Sequence, residues 1–205
     1  MKYKTVVIDP PWPINFESAQ RMNIVKRDVT NNHGYINKIL YELSTIDDII
    51  TFPIDDFADD NSLLFLWATC GKIEGRPILD IAFDIIKNWG FIYHTIITWV
   101  KPKGIAVFSP IRGITEHVLF AWRGNFRELT DNQNGVMTSA LIESGYELKH
   151  SQKPARFYQL LRAWTPEPRI DIFARNAHEG YDGWGDEYVG EGPLAPFLKK
   201  KEAGS

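Results

Sequence analysis

Tyr3-Lys4-Thr5-Val6-Val7-Ile8-Asp9-Pro10-Pro11-Trp12 is the stretch on which the fold turns. The run from residue 3 to 8 ends in consecutive apolar, β-branched residues, the composition of a strand buried on both faces. Pro10 and Pro11 lack a backbone N–H and hold φ fixed, so the chain cannot continue as a central strand. In open α/β sheets the C-terminal strand edge reached here is where ligands bind. The Asp9 carboxylate and the Pro10 carbonyl are acceptors on a stiff turn, and an adenine amino group offers two N–H donors to meet them. Trp12 is placed to stack on such a base, a contact worth roughly 1–3 kcal/mol. Acceptors that pull the amine's protons draw its nitrogen toward a tetrahedral, nucleophilic geometry. The other reading is a proline-rich turn with a buried indole, and four residues do not separate the two.

Outward from this strand, strand and helix signals alternate, which predicts a three-layer α/β domain. A helix is expected over residues 44–50, with Ser44 or Thr45 as N-cap and Asp47 or Asp48 completing a capping box. Residues 62–68 read as a buried strand, and 78–89 as a helix ended by Gly90. Residues 92–100 and 116–122 read as strands, 154–164 as an amphipathic helix and 169–174 as the last strand. Residues 13–40 form a long polar stretch of the kind that serves as a lid. Residues 124–149 read as irregular. We expect one domain over residues 1–197 and a frayed tail over 198–205.

Composition narrows the function classes. The chain has 205 residues, enough for one sizeable core, and a net charge of −3. That charge does not describe binding to nucleic acid by bulk electrostatics, so such binding needs a local basic surface. A single cysteine, Cys70, excludes an intramolecular disulfide and is expected to pack as a small hydrophobe. No apolar stretch approaches the roughly 20 residues of a membrane span, and no signal peptide precedes the first strand. We expect a cytoplasmic protein with no membrane partner.

No glycine-rich nucleotide loop follows any expected strand, and the five histidines show no metal-ligand spacing. What stands out are polar groups at strand ends and in loops. Lys101 follows Thr98-Trp99-Val100, and Arg112 and Glu116 flank Gly113-Ile114-Thr115. Lys153 sits where the last helix begins, and Arg175-Asn176-Ala177-His178 leaves the last strand, followed by Trp184-Gly185-Asp186-Glu187. Each has an ordinary alternative: Lys153 as a solvated charge, Arg175 capping a carboxylate, Glu116 pairing with Arg112 or Lys101, and the Gly-Trp-Gly stretch as a tight turn.

The order of these blocks resembles the MT-A (mRNA adenosine) methyltransferase family, the permuted, beta-class N6-adenine methyltransferases. The matching blocks are Asp9–Trp12, Leu64–Thr69, Trp89-Gly90-Phe91, Thr98–Pro102, Arg112-Gly113 with Glu116-His117, His150–Pro154, Phe173–Arg175 and Trp184–Glu187. The resemblance implies a Rossmann-like, mixed but mostly parallel sheet flanked by helices, with the catalytic motif first. It implies S-adenosyl-L-methionine as methyl donor and adenine N6 in nucleic acid as acceptor, with DNA preferred over RNA. Transfer would be direct and in-line to a flipped or unpaired base. By position, Asp9, Pro10, Pro11 and Trp12 would be catalytic, with Asp9 also touching the donor's amino group. Lys153 would meet the donor's carboxylate, Arg175 its ribose, with Asn176 or His178 as helpers. Asp186 and Glu187 would lie near its adenosine, and Trp12, Tyr41, Lys101, Arg112 and Glu116 on the substrate side. No metal is implied.

Three features depart from the family pattern. Asp186 replaces the usual Asn, Ala155-Arg156 replaces the usual acidic pair after Lys-Pro, and only eight residues precede the motif. A donor pocket that is more open, or is completed by the C-terminal turn or by another subunit, is the expectation that follows. The partners implied are a second copy or a related subunit. The competing expectation is a non-catalytic, nucleic-acid-binding subunit of a heterodimer; methylation of a small molecule or protein is a third.

Overall fold

The structure, a computed structural model, describes residues 2–13, 45–101, 113–130, 139–142 and 153–185. In chain order its elements are β1 (Tyr3–Ile8), α1 (Ile46–Ile50), a 3-10 turn (Ile54–Asp56), β2 (Ala58–Ala68), and the small hairpin β3 (Lys72–Ile73) and β4 (Arg76–Pro77). There follow α2 (Ile78–Asn88), β5 (Ile92–Val100), β6 (Thr115–Arg123), α3 (Phe126–Thr130), β7 (Ala140–Ile142), α4 (Ala155–Trp164), β8 (Arg169–Ile172) and β9 (Asp182–Trp184). Seven strands make one sheet in the order β7-β5-β6-β2-β1-β8-β9. β6 runs antiparallel to β2 and β5, while the β1–β2, β1–β8, β5–β7 and β8–β9 pairs are parallel. This is the mixed, mostly parallel, Rossmann-like sheet that the sequence implies.

β1 lies between β2 and β8 in the sheet, and apolar cores cover both of its faces. Val6 and Ile8 join the core that includes Ile78, Ile81 and Ile85 of α2, and Val7 joins the core that includes Phe157 and Leu161 of α4. β2 splits its side chains in the same way: Leu64, Leu66 and Ala68 face α2, while Leu63, Phe65 and Trp67 face α4. A strand with apolar residues at both parities needs a helix on each side, which makes the three layers. Full burial of each such side chain is worth roughly 1.5–3 kcal/mol.

Helix ends follow local chemistry. Thr45 caps α1: its Oγ1 accepts from the Asp48 N–H at 3.1 Å, and Asp48 Oδ2 accepts from the Thr45 N–H at 2.9 Å, a closed capping box. α2 stops at Asn88, and Gly90 takes φ +72 just beyond it.

Several boundaries differ from expectation. β2 begins at Ala58, four residues earlier than read, because Arg123 of β6 ties down its start through the Ala58 and Asp59 carbonyls at 2.8 and 2.9 Å. β8 ends at Ile172 because Phe173 adopts φ +63, which turns the chain out of the sheet. Residues 124–149 are not uniformly irregular, since they hold α3 and β7. The Asp182–Trp184 stretch is a strand rather than only a turn, formed by pairing Ile172 with Trp184. Cys70 is exposed rather than packed, with Sγ 3.3 Å from His117 Nε2. Residues 14–44, 102–112, 131–138, 143–152 and 186–205, with the expected tail 198–205, lie outside the described residues. Among the described residues no helix is long and apolar enough to cross a membrane.

Two substitutions test this architecture. Leu66→Ala should cost about 2–5 kcal/mol in urea unfolding, because Leu66 is fully buried. A Cβ at Gly185 would lie 2.3 Å from the Ala174 carbonyl oxygen, so Gly185→Ala should lower Tm by pushing β9 off the end of β8. A Tm equal to that of the unaltered chain would show that this close approach does not exist.

Candidate active site

The strand order decides where the polar groups meet. From β1 the chain goes to β2 on one side, and β8 arrives on the other, so the crevice between β1 and β8 is a topological switch point. Asp9 leaves β1 there, and Phe173, Ala174, Arg175 and Asn176 leave β8. Together with Lys153, Tyr158, Asp171 and His178 they line one open cleft. Because β6 alone runs against its neighbours in this part of the sheet, its first residues stand at the same edge. Glu116 is opposite Trp99, and Lys101 follows the end of β5.

Four of these side chains form one alternating chain of charge. Lys153 Nζ is 3.1 Å from Asp9 Oδ2 and 2.9 Å from Glu116 Oε2, and Glu116 Oε1 is 2.6 Å from Lys101 Nζ. Lys153 is nearly closed to water, and its ammonium also lies 4.7 Å from the centre of the Trp67 ring. Burial alone would discharge Lys153, but Asp9 and Glu116 outweigh it and push its pKa up, so it stays charged. Burial raises Glu116 as well, yet Lys153 and Lys101 more than reverse this and hold it below the ordinary range. At Asp9 burial wins over Lys153, and the carboxyl pKa is raised. Asp9 is therefore the member of the chain most ready to take a proton.

The turn that presents Asp9 is pinned from below. The Asp9 N–H donates to the Ile172 carbonyl at 3.3 Å, and the Trp12 N–H donates to the Pro10 carbonyl at 2.8 Å. The Pro10 carbonyl is thus not a free acceptor; one lone pair is used inside the turn and one remains. Trp12 differs more from expectation. Its indole is buried in the core on the α2 face, and Nε1 donates to the Trp67 carbonyl at 3.1 Å. An indole held this way has no open face for a base, because its apolar area gains more from the core than from a solvent-facing turn. It anchors the turn to the end of β2.

Of the other residues picked from sequence, Arg175, Asn176 and His178 line the cleft, with Asn176 exposed. His178 stacks on Tyr158 with ring centres 3.4 Å apart, and burial pushes its imidazole down to about 4, so it is neutral near pH 7. Lys101 and Glu116, expected to touch substrate, are engaged with each other, and Glu116 also with Lys153. Tyr41, Arg112, Asp186 and Glu187 lie outside the described residues. Of the polar cleft residues, Tyr158 and Asp171 were not picked from sequence. The available signal for Asp171 was a carboxylate in the middle of the short strand Arg169–Ile172, where a charge is costly to bury. Among the described residues no cluster of His, Cys, Asp and Glu could hold a metal ion.

The family model MT-A70 matches residues 3–187 of the chain. The chain is 26% identical over 198 residues to the type II methyltransferase M.MunI of Mycoplasma sp, a match covering 91% of this chain and 78% of that protein. It is 26% identical over 201 residues to the human N(6)-adenine-specific methyltransferase METTL4, covering 91% of this chain and 38% of that protein. It is also 29% identical over 140 residues to the N6-adenosine-methyltransferase non-catalytic subunit MTB of Arabidopsis thaliana, covering 63% of this chain and 15% of that protein. The chain thus spans most of M.MunI but less than half of METTL4 and a small part of MTB. A match over 3–187 takes in the opening strand, the acidic turn, the charge chain and the last cleft loop, and on it the chain belongs to the MT-A70 methyltransferase family.

Proposed function

We propose that this chain moves a methyl group from S-adenosyl-L-methionine to the N6 amino group of adenine in a nucleic acid. The carrying observation is the contact between Lys153 and Asp9 in the β1–β8 crevice. It puts a persistent cation and a proton-accepting carboxylate side by side at the edge where the sheet can receive a ligand. The cleft residues suit this donor: Lys153 offers charge to its carboxylate, and Arg175, Asn176 and His178 offer polar atoms to its ribose hydroxyls. When bound, the donor supplies a methyl group on a sulfonium sulfur, which keeps the electron pair of the broken C–S bond.

The chain's own residues do the rest. Asp9 and the remaining lone pair of Pro10 accept the two N–H groups of the target amine and fix it in line. The nitrogen gains a methyl and must lose one proton, and the raised pKa of Asp9 makes it the acceptor. Trp12 holds the turn rigid, and Glu116 with Lys101 holds Lys153 in place. Positioning of this kind supplies rate by removing orientational freedom before reaction.

DNA is the preferred substrate, since the match to the type II methyltransferase takes in 78% of that protein. In a duplex the target base would be flipped out. The whole reaction is assigned to one domain over residues 1–197, working alone, as a homodimer or beside a related subunit. The match to a non-catalytic subunit supports a second reading, a nucleic-acid-binding partner without activity. The intact Asp9–Lys153 contact favours catalysis over it.

The two readings separate in the laboratory. Calorimetry should detect donor binding by the chain, which an inactive partner would lack. Donor-dependent methylation of duplex DNA, single-stranded DNA and RNA side by side, with mass spectrometry of the nucleosides, should give N6-methylated adenine, most of it in DNA. Asp9→Ala should abolish transfer with the circular dichroism spectrum unchanged; retained transfer would sink the mechanism. Lys153→Met should weaken donor binding by about 10–100-fold, the loss of one charged hydrogen bond. Unchanged donor affinity in that variant would move the carboxylate site elsewhere.

A further inference from the structure

Cys70 is the chain's single cysteine, and it is exposed just beyond the end of β2. It does not stand alone. Its Sγ is 3.3 Å from His117 Nε2 and 3.7 Å from Thr115 Oγ1, and His117 Nδ1 is 3.1 Å from Thr98 Oγ1. His117 is held opposite Ala68 of β2 and Thr98 of β5, on the face of the sheet that α2 covers. The loop that carries the thiol is fixed as well. Thr69 Oγ1 accepts from the Gly71 N–H at 3.3 Å, and the Gly71 carbonyl accepts from the Ile78 N–H at 3.0 Å.

Segments distant in sequence thus bring a nucleophile, a base and a hydroxyl that orients the base into one line. Burial pushes the His117 imidazole below its ordinary range, further than the neighbouring Glu116 carboxylate lifts it. The ring is therefore neutral near pH 7 and free to accept a proton. In the tautomer protonated at Nδ1, the ring N–H donates to Thr98 Oγ1 and the bare Nε2 faces the thiol. The methyl-transfer chemistry uses none of these groups. Glu116, next to His117 in β6, turns to the other face of the sheet, where it meets Lys153.

We propose that Cys70 is a thiol–disulfide exchange site, with His117 as its base and a small aliphatic disulfide as its co-reactant. The Cys70 proton passes to His117 Nε2, and the Cys70 sulfur attacks one sulfur of the disulfide. A new S–S bond forms as the old one breaks. The departing sulfur leaves with the bonding pair and takes the proton back from His117. Cys70 is oxidised and the departing sulfur is reduced, so no other oxidant enters, and a small thiol reverses the step.

The position of the thiol gives the adduct a consequence. β2 ends at the edge where Asp9 leaves β1, and Trp12 ties the Asp9 turn to the Trp67 carbonyl. A group carried on Cys70 stands at that edge on the α2 side and obstructs a bulky acceptor, while the donor cleft, lined by Tyr158 of α4, stays open. This consequence, unlike the exchange itself, rests on the function proposed above.

With one cysteine in the chain, the intact mass reads the site directly. The probe is 2-hydroxyethyl disulfide at neutral pH, and the peptide of residues 66–74 serves as a reference thiol without a base. The full chain should be thiolated about 10–100-fold faster than the peptide, and His117→Gln should lose most of that gain. Equal rates for the full chain and the peptide, or for wild type and His117→Gln, overturn the proposal. Should His117→Gln fail to fold, wild type against the peptide decides. Thiolated wild type should lose methyl transfer to duplex DNA, keep its donor affinity by calorimetry and regain transfer with dithiothreitol. Cys70→Ser should transfer methyl groups with or without the disulfide. Full transfer by the thiolated chain overturns the obstruction. No transfer by the untreated chain overturns the methyltransferase reading instead, and the thiolation rates still decide the exchange site.

Discussion

Lys153 carries its positive charge into a place almost closed to water, and much of the site is arranged to make that tolerable. A lone buried ammonium would lose its proton, and a buried ion pair with poor geometry would cost more than it returns. Here two carboxylates flank the ammonium at 2.9 and 3.1 Å, and the Trp67 ring lies 4.7 Å away. Glu116 is in turn shared with Lys101. The four charges come from the ends of β1 and β5, the start of β6 and the segment before α4. Each is held by a backbone that the sheet has already placed. Removing one partner would leave another charge unpaired, so the four behave as one unit.

That unit exists because of one reversed strand. If β6 ran parallel to β2 and β5, Glu116 near its start would stand at the opposite edge of the sheet, a strand's length from Asp9. Antiparallel pairing brings Glu116 opposite Trp99, beside the exit to Lys101. The apolar layers on either face then fix the sheet against sliding. A slip of one residue in β2 would exchange Phe65 and Trp67 for Leu64 and Leu66 across both cores.

The same physics separates the roles of the acidic groups. Glu116 sees two lysines and stays ionised; Asp9 sees one and is raised by burial. Asp171 has a tyrosine and a neutral histidine at hand, and burial raises it to about 8. Three carboxyls within one edge of the sheet thus differ in proton affinity by environment alone.

The opening strand and its acidic, proline-rich turn were determined by the sequence alone. Apolar residues at both parities followed by two prolines permit little besides a central strand ending at an edge, and β1 and β5 fall at the residues read for them. The identity of Lys153, Arg175 and His178 as cleft residues was legible through the ordered resemblance, because those blocks lie at element ends. The short α3, β7 and β9 were not legible, since three to five residues carry too little periodicity and form only by pairing or packing across the chain. Trp12 shows the limit most plainly. Its place beside an acidic motif suggests stacking on a ligand, but the choice between ligand and core depends on which way the turn faces. Strand order and the Trp67 carbonyl decide that in favour of the core. Asp171 was hidden for the same reason. A single carboxylate in a strand says nothing of what lies across from it until β8 is laid against β1 and α4 closes over both.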